Sequence, residues 1–249
     1  MAFGSGPMPP IASVVVAQDG SGDYNGTTEE CIQDAIDSLP DGGWVFIKEG
    51  AYTISNPITV VNTGLIISGS YAVNLTAGAE DVIMNISGEF NILRDMLLTG
   101  GGLTDGSEAA VNISADWIEL RGLVFAQSHA DAIRIIDAER VIVSECIIFL
   151  PLGKGINVLS VGTGGAEYLD ILHNKVTGCG DYGIYLNGTA PGVVDYCKIV
   201  GNTVDSSGGG INETGTADYN LFNNNICENN TTNYNLLGPH SVIGTNGDW

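Results

Sequence analysis

The chain has 249 residues, long enough for one sizeable hydrophobic core. It carries 29 acidic against 8 basic residues, a net charge of −21, which argues against nucleic-acid and anionic-membrane partners because both need basic surface. It contains no apolar run of 18 residues, so no membrane-spanning helix and no membrane insertion is expected.

Residues 1–26 are expected to form an N-terminal arm and a first strand. Residues 1–16 lack a basic start and an apolar core, so no signal peptide is expected. The arm Met1–Pro10 is suited to docking on a neighbouring subunit. Asp19 and Asp23 flank glycines in a candidate cation loop, which makes Ca²⁺ the one cofactor to consider, although Asp-x-x-x-Asp without a closing glutamate is a weak pattern.

Residues 27–40 predict a short capping helix. Thr27-Thr28-Glu29-Glu30 has capping-box form, and Ile32, Ala35, Ile36 and Leu39 make one apolar stripe. Pro40-Asp-Gly-Gly43 stops the helix, and Trp44–Ile47 follows as a strand.

Residues 41–249 repeat. Ile171-Leu-His-Asn174-Lys-Val176, Ile199-Val-Gly-Asn202-Thr-Val204 and Leu221-Phe-Asn-Asn224-Asn-Ile226 place an asparagine three residues after an aliphatic one, 28 and 22 residues apart. Upstream, Ile142-Val-Ser-Glu145-Cys-Ile147, Glu119-Leu-Arg-Gly122-Leu-Val124 and Ile92-Leu-Arg-Asp95-Met-Leu97 continue the frame with decay. Asn174, Asn202 and Asn224 are the expected rungs of an amide ladder. A second family (Ala110–Ile113, Ala132–Ile135, Gly155–Val158, Gly183–Leu186, Gly210–Glu213) alternates apolar and polar residues. Two strand families per repeat describe an all-β, single-stranded parallel β-helix, with roughly nine coils and a length of about 40 Å at about 4.8 Å per coil. The five cysteines form no CxxC pair and fit as small apolar fillers of the coils.

The opening Asp19-Gly-Ser-Gly-Asp23, then Ile32-Gln-Asp-Ala-Ile36, Gly43-Trp-Val-Phe-Ile47 and Gly50-Ala-Tyr52, resembles pectate-lyase-like right-handed β-helices, closest in style to phage tailspikes and virion surface proteins. The resemblance implies a right-handed coil. It also implies a non-enzymatic virion surface protein, a capsid decoration or turret or a spike or fibre component, assembled as a homotrimer. Such a protein would be made in a host cytoplasm, attached to a capsid or tail protein and able to bind a cell-surface polysaccharide. The acidic surface would suit high salt. The alternative, with extracellular location, is a polysaccharide lyase or glycoside hydrolase of the same fold. For that chemistry the candidates are Arg94, Asp95 and Arg121, where arginines 27 residues apart could stack on one face, and the group His129, Asp131 and Arg134. The Asn-Thr-Asp, Asp-Asp, Gly-His-Gly and Arg-Ile-Lys words of polygalacturonase-type hydrolases are absent.

Overall fold

The computed structural model describes residues 12–70, 72–78, 81–103 and 107–248. The proposed docking arm Met1–Pro10 and the terminal Trp249 lie outside them. Three parallel sheets of 11, 9 and 8 strands run the length of the molecule, and neighbours within each sheet come from successive coils. The eight-stranded sheet marks eight complete coils, with partial coils at both ends. The expected all-β parallel β-helix is therefore the fold, with a short helix at its N-terminal end.

Each coil has three faces where the repeat suggested two. The six-residue words are not single strands. One spans Asp170–Leu172 and Lys175–Thr177, two short strands on different sheets. A single residue in the left-handed region makes the bend, at Asp95, Gly122, Glu145, His173, Gly201 and Asn224, with φ between 53° and 69°. Only Gly adopts that conformation without penalty, so the remaining corners are held by the coils on either side.

Strand pairing also corrects the register of the ladder. Ile199 pairs with Phe222 rather than Leu221, which sets Asn225, not Asn224, beneath Asn202. Asn202 donates from its backbone N and from Nδ2 to Asn225 Oδ1, each at 3.0 Å. Asn174 does the same to Asn202 Oδ1, at 2.9 and 3.0 Å, and Asn225 to Asn246 Oδ1, at 2.9 and 3.2 Å. Asn224 is instead the exposed corner residue. The same shift applies upstream, where Ile142 pairs with Asp170 and Cys146 takes the ladder position.

The core is a stack of rows. Val45, Ile67, Leu93, Leu120, Val143, Ile171, Ile199 and Phe222 form one row in register through successive coils, every one almost wholly buried. At about 1.5–3 kcal/mol for each buried side chain of this size, such rows dominate the stability. The helix α1 (Glu29–Asp37) lays Ile32, Ala35 and Ile36 over the N-terminal end of this core, all fully buried. Its start differs from a capping box: Thr28 is the N-cap and makes no side-chain cap bond. Glu29 turns away to accept from Ser55 N at 3.1 Å and Asn56 Nδ2 at 2.9 Å, and so ties the helix to the next coil.

Candidate functional site

Arg94 and Arg121 pair directly across neighbouring coils, as their spacing anticipated. With Asp95, Gly122, Val124, Glu145 and Ile147 they line an open cleft of about 590 Å³. Asp95, Gly122 and Glu145 hold the same corner position in three successive coils. Gly122 creates the notch between the two carboxylates, since a Cβ there would stand 2.9 Å from Asp95 Oδ1. Glu145 accepts from Arg121 Nε at 3.1 Å and Nη2 at 3.2 Å, a bidentate grip on an exposed pair. That hydrogen bonding, with the Glu145 charge, raises the Arg121 pKa further above its ordinary value. Asp95 has a looser partner, Arg94 Nε at 3.8 Å. An arginine base must lose its proton to act, so elimination driven by Arg121 is disfavoured here.

The second predicted group separates. Asp131 and Arg134 form a buried ion pair, with Nη2 to Oδ2 at 2.8 Å. Asp131 also accepts from Asn157 Nδ2 at 2.6 Å and Lys154 N at 2.8 Å, and Arg134 donates to Ser107 O. This network joins three coils and has a structural role. His129 stays apart from it: its backbone N donates to Gly101 O at 2.7 Å, and its buried Nδ1 has no hydrogen-bond partner among the described residues. Both carboxylates of the candidate cation loop accept from backbone N–H groups. Asp19 accepts from Ser21 N at 3.0 Å, and Asp23 Oδ2 accepts from Val15 N at 2.8 Å. Among the described residues no group of three or more His, Cys, Asp or Glu side chains is placed to hold a metal ion.

The corner on the other side of the eleven-stranded sheet escaped the sequence reading. Glu167, Asp195 and Asp218 stand in register on a small three-stranded sheet. Burial raises the Asp195 pKa, and the charges of Asp218 and Glu167 add to the shift. Asp218 is lowered: burial opposes this, but His240 overcomes it by donating from its backbone N at 2.6 Å and placing Nδ1 2.5 Å from Oδ2. Each acid precedes a ring, in Glu167-Tyr168, Asp195-Tyr196 and Asp218-Tyr219, and this recurring dipeptide was the available signal. The rings stack: Tyr168 on Tyr196 at 5.3 Å, Tyr196 on Tyr219 at 5.5 Å and Tyr219 on His240 at 4.7 Å. Arg140 bridges from Tyr168 to Trp117, and Trp117 stacks on Phe90 at 5.6 Å. Seven consecutive coils thus share one column of flat side chains.

Residues 109–246 match the family model for the right handed beta helix region. The chain belongs to that family. No curated protein matches it. Among solved structures, this β-helix is similar to the catalytic domain of a GH87 alpha-1,3-glucanase in complex with nigerose (TM-score 0.74, 17% identity), covering 99% of this chain and 46% of that one. It thus spans about half the length of that structure. It is also similar to the pectin methylesterase from Aspergillus niger in deglycosylated form (TM-score 0.54, 14% identity), covering 96% of this chain and 86% of that one. These likenesses overturn the expectation of a virion surface protein. The two solved structures named above, which this β-helix follows along nearly its whole length, are a glucanase catalytic domain and a pectin methylesterase.

Proposed function

We propose that this β-helix protein is a glycoside hydrolase that cleaves a polysaccharide in the cleft of Arg94, Asp95, Arg121 and Glu145. The observation that carries this reading is the Asp95–Gly122–Glu145 corner, two carboxylates in one column with a glycine notch between them. Two coil steps of about 4.8 Å separate their backbones by roughly 10 Å. Side chains leaning across the notch would come within the ~6.5–9.5 Å that lets a water sit between acid and base, the inverting arrangement. Asp95, with the looser ion pair, is assigned as the acid that protonates the departing glycosidic oxygen. Glu145, oriented by Arg121, takes a proton from the water whose oxygen attacks the anomeric carbon as the C–O bond breaks. Arg94 and Arg121 position the two carboxylates and the sugar hydroxyls. The likeness to a glucanase catalytic domain supports the reaction class, and the charge of −21 favours a neutral glycan over a polyuronate.

The test is release of reducing ends from a panel of neutral and acidic glycans that includes α-1,3-glucan, with the anomer of the first product followed by NMR. Asp95→Asn and Glu145→Gln are each expected to lower kcat by at least about 100-fold. A protein that cleaves nothing in the panel, or one whose activity survives both substitutions, sinks the assignment.

A further inference from the structure

The column of flat side chains stops one coil short of where the backbone would allow it to continue. Ile66 pairs with Ile92, which places Gly64 at the position Phe90 occupies one coil later. Gly64 has the same left-handed backbone, φ 77°, as the ring-bearing corners. Among the described residues, a Cβ on Gly64 would meet no atom within 4 Å. At the preceding corner the space closes, because a Cβ on Gly42 would lie 2.7 Å from Gly64 O. Phe90 therefore has Trp117 against one face, at 5.6 Å and 16°, while its other face looks onto a rung that is empty among the described residues. Phe90 is 52% exposed. Trp44, also exposed, stands on the same sheet two residues beyond Gly42, and Glu89 and Thr63 are exposed beside the rung.

We propose that this empty rung is a sugar subsite in which one uncharged pyranose ring stacks on the free face of Phe90. The column spaces its ring centroids by 4.7–5.6 Å, and a pyranose, with an apolar C–H face and a polar rim, fits such a slot as the next member of the stack. Glu89 and Thr63 offer acceptors to the hydroxyl rim. The surrounding negative charge would repel a uronate, and would equally repel the phosphates of a nucleotide. Phe90 and Asp95 stand at the two ends of the strand Ile92–Arg94, five residues apart, or roughly 16 Å at about 3.3 Å per residue. A glycan laid across that strand would span a few sugar units from the cleft to the rung, so the subsite deepens the polysaccharide reading and rests on it for its ligand class.

Calorimetric titration of the Glu145→Gln protein with nigero-oligosaccharides of increasing length, repeated with Phe90→Ala and Gly64→Tyr added singly, tests the subsite. Both additions are expected to weaken binding of the longer oligosaccharides about tenfold and leave the shortest unchanged. Gly64→Tyr fills the rung and continues the column, and stacking offsets part of the strain of a side chain at φ 77°, so a single cooperative melt with Tm lowered by no more than a few degrees is expected, which separates a blocked site from a misfolded one. Undiminished affinity in either variant overturns the subsite and leaves the hydrolase assignment standing. Binding that depends on Phe90 without any cleavage by the parent protein supports the subsite and defeats the hydrolase assignment. Absence of binding to every neutral oligosaccharide overturns the subsite.

Discussion

Two adjacent asparagines show how much one residue of register decides. Asn202 Nδ2 donates to Ile171 O at 2.8 Å as well as to Asn225, while its Oδ1 receives both donors of Asn174. Asn202→Ala strands several buried partners at once, and unfolding in urea is expected to show a loss of roughly 2–4 kcal/mol, given about 1–3 kcal/mol for each orphaned buried group. Asn224 is exposed at a left-handed corner, so Asn224→Gly is expected to change stability by less than about 1 kcal/mol in the same assay. The cysteines follow the same logic of burial. Desolvation pushes the thiols of Cys146, Cys179 and Cys197 up to about 12, so thiolate is scarce at pH 8. Ellman's reagent should leave these three unmodified in the native protein and react with them after denaturation.

Among elements, the strand Gly209–Gly215 carries the least expected side chain. Glu213 pairs with Leu186 in a core-facing row and is fully buried. Its carboxylate accepts from Asn220 Nδ2 at 2.8 Å, Ser241 Oγ at 2.7 Å and Gly238 N at 2.8 Å, which fastens the last coils to the body of the rod. Glu213→Ala removes all three acceptor contacts. We expect a loss of about 3 kcal/mol, with amide exchange accelerated first in residues 234–246. At the opposite end α1 plays the closing role through apolar contact. Ile36→Ala is expected to cost about 2–5 kcal/mol in chemical denaturation, because the cavity it leaves faces the end of the core.

For the molecule as a whole, charge sets the response to solution conditions. The folded pKa of Asp195 is raised, so its ionised form is penalised in the native state. That penalty is present above the folded value and disappears below the ordinary carboxylate value of about 4. Asp195→Asn keeps the Oδ1 that accepts from Asp218 N at 2.9 Å but removes the charge between Glu167 and Asp218. Thermal melts should show the variant more stable than the parent at pH 7 and the difference closing as pH falls toward 3. A net charge of −21 also predicts a Tm that rises with added NaCl as self-repulsion is screened.

The sequence alone settled that this is a parallel solenoid closed by an amphipathic helix. Apolar residues recurring every 22–29 positions can bury their faces only by stacking, and Ile32, Ala35 and Ile36 need a surface to cover. It also brought Arg94 and Arg121 to one face, because equal strand phase in neighbouring coils is a local property. The tertiary structure decided the rest. In Asn223-Asn224-Asn225 three identical residues compete for two positions, a corner and a buried ladder site, and only pairing with the coil above chooses between them. Each word hid a bend, because a single left-handed residue such as Glu145 or His173 carries no composition signal when neighbouring coils hold it there. The acid–ring corner and the empty rung at Gly64 arise from coils of unequal length brought into one register. Unequal spacing in sequence becomes an even stack only when main-chain bonds align it.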